Sequence, residues 1–447
     1  MGVLEGDDDN GHTVWVGAEY VGYGASSLHK ERQMRNAGRA QSRRLYPYQR
    51  KGVRFLRDRK RAYLADQMGL GKTVQAIIAA RSLPKLRSVL VVCPAVAVLN
   101  WQRELDMWWP GTRPDIKVIS YSTLIRRPQG EPYDLVILDE AHYCKSIGAK
   151  RTRRALGEAK RAEYAWLLSG TPMPNDPTEL WAPIKYLWPE IPKKWGITTA
   201  YQWLSRFTYH RPTPYGPRPY RVRNGAELRE AIRPIMLRRH LDEVGLQLPP
   251  LRVHVQRMAS TPELDRALLD YANMVELTTD LEDSYTSTLR RLLGEAKAPM
   301  IAERIVQELL AKEYKKIVVL YHHRDVGAEL WEQLVSFGVV GFHGGTSQVN
   351  RQNAIDAFQT NPRERVLCAQ QTAAGIAINL TAASEVVLVE PAWSPDDNAQ
   401  AIARIHRIGQ DQPCRARIFS VAGTLDEAIM DTLARKIQMQ KEVLGGD

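Results

Sequence analysis

Nine short apolar runs set the limits on how this chain can fold. Four come early: "SVLVVCP" (88–94), "IKVISY" (116–121), "YDLVILDE" (133–140) and "YAWLLSG" (164–170). Five come late: "KIVVLYH" (316–322), "VVGFHGG" (339–345), "RVLCAQ" (365–370), "EVVLVEP" (385–391) and "ARIFSVA" (416–422). The early four end in proline, glycine or polar residues, and each is followed by a helix-like segment. Strands that are apolar on both faces are covered by helices on both faces, so the pattern predicts parallel sheets with crossover helices. It restarts after residue 315, which predicts an α/β fold of two such lobes in tandem with helical insertions. Ligands of open α/β sheets sit beyond the carboxyl ends of the strands, so chemistry is expected just after these runs.

The stretch between the two sets differs in character. "HRPTPYGPRPYRVR" (210–223) is rich in proline, arginine and tyrosine, "LPPLR" (248–252) reads as a linker, and 263–293 reads as helical. The expected layout is an N-terminal extension at 1–40, then a first lobe at 41–245 with a Pro/Arg-rich insertion near 195–235. A linker at 246–258 leads to a second lobe at 259–447, with a helical insertion at 260–300 and a C-terminal helix at 424–444. A length of 447 residues suits two globular units.

Charge narrows the partner. The net charge is +12, and Lys145 to Arg161 holds seven Lys/Arg against Glu158 alone. Such a balance points to a polyanion, because cations that neutralise phosphates release counterions. The four cysteines are far apart with no CxxC pair, so neither zinc nor a disulfide framework is indicated and reduced thiols are expected. No run of 18 or more apolar residues appears, and a membrane span is not expected.

The residues after the strands carry chemistry. In "YLADQMGLGKTVQAI" (63–77), Met68, Gly69, Leu70, Gly71, Lys72, Thr73 and Val74 form a turn into a helix. Glycines there let backbone N–H groups wrap a phosphate chain, Lys72 would reach the β- and γ-phosphates, and Thr73 would hold Mg²⁺. The strict P-loop pattern wants glycine at 66, where this chain has Asp66. In "VILDEAH" (136–142), Asp139 would coordinate Mg²⁺ and Glu140 would orient or deprotonate the attacking water. In "LLSGTPMPN" (167–175), Ser169, Gly170 and Thr171 could sense the nucleotide, although alone they would make an ordinary turn. Gln49 has the paired donor and acceptor that an adenine edge requires. "ARIHRIGQ" (403–410) sets Arg404 and Arg407 three apart, one turn of one helical face. His406 falls off that face and reads as a structural or DNA-side residue.

In this order, GLGKT, DEAH, SGTP and QAIARIHRIGQ resemble the motor of superfamily-two helicases, built from two RecA-like lobes with the ATP cleft between them. "ADQMGLGKTVQAI", "VVCPAVAVLNWQREL", "AAGIAINLTAASEVVLVEPAWSP" and "HRIGQ" resemble, more narrowly, the Swi/Snf-type DNA-dependent ATPases. "LYHHRD" (320–325) and residues 227–252 are most like the annealing-helicase branch. The resemblance runs from about residue 43 to the end. It implies ATP and Mg²⁺ as cofactors, with Gln49 on adenine and Arg404 and Arg407 on the γ-phosphate from the second lobe. It also implies Gly375, Thr372 and Asn379 in the motif linking nucleotide to DNA, with Gln400 coupling the lobes. His343, Gly344, Gly345 and Trp393 fall where the family meets DNA; Lys145, Lys150 and Arg151 are added for their charge. The basic 211–221 segment is either part of that track or a solvated loop. Gln67, Ser146, Ala377 and Ser394 depart from residues usual in the family.

The implied activity is ATP-driven movement along double-stranded or forked DNA by a monomer, without sequence specificity because phosphate contacts carry none. The setting would be the cytoplasm of a bacterial or phage-infected cell, or a eukaryotic nucleus. The alternatives are a strand-separating DNA or RNA helicase and a nucleic-acid-binding scaffold with a degenerate motor.

Overall fold

A computed structural model of the chain describes residues 44–447 apart from 214–215, 246–247, 263, 267, 270–281, 375–377 and 446–447. The expected 1–40 extension, Gly375 and Ala377 lie outside the described residues. Each of the nine apolar runs contains a strand. The first lobe has β1 (Arg61–Leu64), β2 (Ser88–Cys93), β3 (Asp115–Ser120), β4 (Leu135–Asp139) and β5 (Tyr164–Leu168). After an antiparallel hairpin of β6 (Thr208–Arg211) and β7 (Arg218–Val222), a short β8 (Met236–Leu237) returns to the sheet. The strand order is β3-β2-β4-β5-β1-β8, all parallel. Alternate residues explain the continuous apolar runs: Leu90 and Val92 of β2 enter one core, and Val89, Val91 and Cys93 enter the other.

The second lobe repeats the plan with β9 (Leu251–Met258), β10 (Ile317–Tyr321), β11 (Val339–Phe342), β12 (Val366–Gln370), β13 (Glu385–Leu388) and β14 (Cys414–Val421). The order β11-β12-β10-β13-β14-β9 is again wholly parallel. All four cysteines are buried, unpaired thiols. Among the described residues no helix is long and apolar enough to cross a membrane.

Two boundaries differ from those expected. The expected linker at 246–258 is in part an edge strand: Leu251–Met258 pairs with β14 from Leu251↔Cys414 to Met258↔Val421. An edge strand keeps much of its surface in water, so "LRVHVQRM" lacks the apolar signature of its neighbours. The helical insertion does not end at 300: one helix runs Glu282–Leu310, and its Ala298, Ile301, Ala302, Ile305 and Leu309 are buried against the second sheet. Its last half is therefore a covering layer of the lobe.

The C-terminal helix, Leu425–Leu444, does not belong to the second lobe alone. It starts there, where Asp426 forms a buried ion pair of 2.8 Å with Lys297. It ends in the first lobe, where Met439 and Val443 join the core around β1, β2, β4 and β5. Arg229 donates to the carbonyls of Lys441 (3.0 Å), Glu442 and Val443 (3.4 Å), satisfying helix-end acceptors that have no partner within the helix.

Candidate active site

The glycine turn connects β1 to the Lys72–Arg81 helix. Gly69 and Gly71 have φ of 89° and 73°, a left-handed backbone that only glycine adopts without strain. A Cβ on Gly71 would stand 2.7 Å from Nε2 of Gln49. That amide donates to the Leu70 carbonyl at 3.3 Å, so Gln49 braces the turn from beneath. The helix begins with no side-chain cap, which leaves its first N–H groups free to meet an anion. Lys72 Nζ donates to the Asp66 carbonyl at 2.9 Å and lies beside Gly170 of the SGT turn.

Asp66 explains the missing glycine of the strict pattern. Its carboxylate is fully buried and accepts from Arg239 Nε at 2.9 Å and Nη2 at 2.5 Å. Gln75 Nε2 donates to it at 3.1 Å and to the Leu70 carbonyl at the same distance. The turn is thus anchored to the segment after β8. Gln67, where the family usually has glutamate, continues this anchor by accepting from the Leu241 N–H at 2.8 Å.

Asp139 ends β4, and Glu140 follows at φ 50°, an uncommon conformation for a residue with a side chain. Trp101 Nε1 donates to Asp139 Oδ2 at 2.7 Å, and the Glu140 N–H donates to Oδ1 at 3.1 Å. Desolvation, then the neighbouring Glu140, pushes the Asp139 carboxyl above the usual carboxylate range. Glu140 is held below it: desolvation opposes ionisation, but His142, Lys72 and Arg404 together outweigh that. His142 Nδ1 lies 3.3 Å from Glu140 Oε2, 3.0 Å from Ser169 Oγ and 3.3 Å from Thr171 Oγ1, joining DEAH to SGT.

The second lobe completes the cluster. Gln400 Nε2, on the Pro395–Ile402 helix, donates to Glu140 Oε1 at 3.4 Å. That helix stops at Ile402, so Arg404 and Arg407 sit in successive turns and not on one helical face as expected. The cleft still receives both. Arg404 is buried, and burial, then the charge of Arg407, lowers its pKa to about 9 while Glu140 opposes the shift. A Cβ on Gly69 would lie 3.8 Å from the Cβ of Arg407. His406 Nε2 lies 2.8 Å from the Pro249 carbonyl, a structural role. Ser394 caps the Pro395–Ile402 helix through the Asp397 N–H, which explains a serine beside Trp393.

The residues chosen for DNA are spread more widely. Lys145 is paired with Glu179 at 2.7 Å, and Arg151 donates to the Tyr143 carbonyl at 3.0 Å and covers its ring. Lys150 and Ser146 are exposed. In the second lobe, the Gly344 N–H donates to Gln370 Oε1 at 2.9 Å and the Gly345 N–H to His343 Nδ1 at 3.0 Å, shaping a loop after β11. Thr372 is exposed after β12, and the Asn379 carbonyl accepts from Gln359. Trp393 is half-buried, and its carbonyl accepts from Lys436 at 2.7 Å. Trp101, which holds Asp139, and Gln75 and Arg239, which hold Asp66, leave no signal in the sequence. A tryptophan four residues before Leu105 on an amphipathic helix reads as core, and Arg239 is one of many arginines.

A polar junction ties the lobes together beside the site. Gln440 Nε2 donates to Asp396 Oδ2 at 2.9 Å and to the Met173 and Pro174 carbonyls at 3.2 Å. Desolvation raises the Asp396 pKa to about 7, with Asp397 adding to it against His142 and Arg238. A carboxyl raised in the folded state stabilises below its unfolded pKa, and that contribution is lost as pH rises toward 7. Asp396→Asn should therefore raise the melting temperature at pH 8 and raise it less at pH 5; equal shifts at both would refute this.

Comparison with known proteins follows the same division. The SNF2-related domain profile matches residues 48–129 and 113–266, and the helicase conserved C-terminal domain profile matches 301–409. The chain is 30% identical over 449 residues to the DNA annealing helicase and endonuclease ZRANB3 of Bos taurus, covering 90% of this chain and 41% of that protein. It is 29% identical over 435 residues to a Caenorhabditis elegans homolog of the SWI/SNF-related matrix-associated actin-dependent regulator of chromatin subfamily A-like protein 1, covering 90% and 62%. The chain thus spans about two fifths of the first relative and under two thirds of the second. A solved structure, the Sulfolobus solfataricus SWI2/SNF2 ATPase core in complex with dsDNA, aligns at 25% identity and a TM-score of 0.41, covering 90% of this chain and 93% of that one.

Proposed function

The chain belongs to the SNF2-related, Swi/Snf-type ATPases of superfamily two, and on that premise we propose that it hydrolyses ATP to move along double-stranded DNA without reading its sequence. The observation that carries this reading is the approach of Gln400 and Arg404 of one lobe to Glu140 of the other. Hydrolysis residues split between lobes make turnover depend on lobe closure, and a motor needs that coupling.

The turn at Gly69, Gly71, Lys72 and Thr73 binds the phosphates through its N–H groups and the Lys72 ammonium. Gln49, set against the turn through its amide nitrogen, would be the adenine contact. Glu140, kept ionised by its neighbours, orients the attacking water and accepts its proton. Arg404 and Arg407 stabilise the charge that develops on the γ-phosphate. Thr73 and Asp139 would hold magnesium, which supplies neutralisation of phosphate charge when bound. The donors fit: one or two carboxylates with substrate phosphates are the usual magnesium set, and a carboxyl disfavoured by desolvation and a neighbouring carboxylate gains most from a cation. Glu140 Oε2 is also shut from solvent, with His142 Nδ1 3.3 Å away. Lys150, Arg151, Thr372 and the His343–Gly345 loop follow the duplex backbone, with Trp393 and Lys145 at its margin. A monomer working wherever DNA is found, in a bacterial or phage-infected cytoplasm or a nucleus, fits this reading.

ATP turnover should be stimulated strongly by duplex DNA and abolished in Lys72→Ala. Equal or better stimulation by single strands or RNA would overturn the duplex assignment.

A further inference from the structure

We propose that a second groove, walled by the β6–β7 hairpin and floored by the Leu425–Leu444 helix, holds a few nucleotides of single-stranded DNA. The proposal rests on the duplex-motor reading only for the identity of the nucleic acid; the groove stands on its own geometry.

Two cavities of about 440 and 880 Å³ share Arg218, Pro219, Thr432 and Arg435 and so form one groove. Its floor is Leu425, Ala428, Thr432, Arg435, Lys436 and Met439. These recur every one to four residues along one face of the helix, a length on the order of 20 Å at 1.5 Å per residue. The hairpin contributes Arg211, Arg218 and Tyr220, and the second lobe contributes Arg290, His322 and Trp393.

The groove is built for an anion. Arg211, Arg218 and Arg435 are exposed, and among the described residues none has a carboxylate at ion-pair distance. The acids that line it are already engaged: Glu179 pairs with Lys145, and Asp176 accepts from Thr178. Lys436 feels the excess charge. Burial lowers its pKa first, Glu179 opposes this, and Lys145, Arg218 and Arg435 lower it further. Arg290 is buried, gives Nη2 to the Glu390 and Pro391 carbonyls, and has an Nε with no partner among the described residues.

Shape selects a single strand. Volumes of this size hold small ligands, not a duplex. Tyr220, 45% exposed, and Trp393 offer rings on which splayed bases can stack while arginines take the phosphates. Lys145 and Trp393 belong both to the groove and to the margin of the duplex track. A strand leaving the duplex would enter there, which makes branched DNA the substrate that fills both sites.

The test uses Arg218→Glu/Arg435→Glu and Tyr220→Ala in the full chain, with melting curves to confirm folding. Binding of a fluorescent single-stranded oligonucleotide is measured by anisotropy without ATP, and duplex-stimulated ATP turnover is measured separately. The charge-reversal variant should bind the single strand at least tenfold more weakly, and its salt slope should flatten by about one to two counterions. Tyr220→Ala should weaken binding with no change in slope. Turnover on duplex should stay within twofold in both. Unchanged single-strand binding, or equal losses on single strand and duplex, overturns the proposal. A wild-type protein that binds the single strand but shows no duplex-stimulated turnover would overturn the motor reading and leave the groove standing.

Discussion

Replacing Arg404 by alanine should lower ATP turnover on duplex DNA by about 10³-fold or more, the loss measured for arginine fingers in other phosphate hydrolases. Nucleotide affinity should change little, because the phosphate turn lies wholly in the first lobe and Arg404 comes from the second. The split between kcat and binding is the diagnostic result. A second readout is the acid limb of the pH–rate profile. Arg404 is one of the charges that hold Glu140 ionised, so its removal raises the Glu140 pKa and moves the limb to higher pH. Arg404→Lys should not rescue turnover, since an ammonium lacks the planar fork of donors. A loss of less than about tenfold would remove Arg404 from the reacting centre.

The second large effect is structural. Arg239→Ala leaves Asp66 fully buried with its bidentate partner gone, and breaking such a pair costs about 3–5 kcal/mol. The phosphate turn rests on this pair, so ATP binding should fail before the second lobe unfolds. Denaturant unfolding followed by first-lobe tryptophans such as Trp166 and Trp203 should show an early transition for that lobe alone. Asp66→Leu/Arg239→Met should recover most of the loss, because apolar replacement of a buried pair is often close to neutral. A cost under about 1 kcal/mol for Arg239→Ala would mean that Asp66 is served by Gln75 alone.

The parts of the site that could be read in the sequence are those whose chemistry is local. Gly69, Gly71, Lys72 and Thr73 are neighbours, and the positive φ at 69 and 71 calls for glycine there for backbone reasons alone. Asp139 and Glu140 end an apolar strand, and strand ends are where such folds place ligands. The supports could not be read in this way. Trp101 meets Asp139 across 38 residues, and Arg239 meets Asp66 across 173. Neither contact leaves a pattern at either end. The helical face proposed for Arg404 and Arg407 failed for a similar reason. Their spacing of three suits a helix, but the turns after Ile402 bring Arg404 beside Glu140 and Arg407 against Gly69. Strand β9 reads as linker in the sequence because an edge strand, half in water, carries the polar residues of a loop.

The landing of the Leu425–Leu444 helix on the first lobe has a consequence for how the protein is made. A ribosome emits the other residues of that core, ending at Ile232, roughly 200 residues before Met439 and Val443. At translation rates of about 5–20 residues per second, the first lobe waits on the order of 10–40 seconds with part of its apolar surface uncovered. Apolar surface left uncovered in this way is prone to aggregation until the helix arrives. The lobe's last packing step is also the step that joins the two lobes, so the cleft is assembled only when the first lobe is completed.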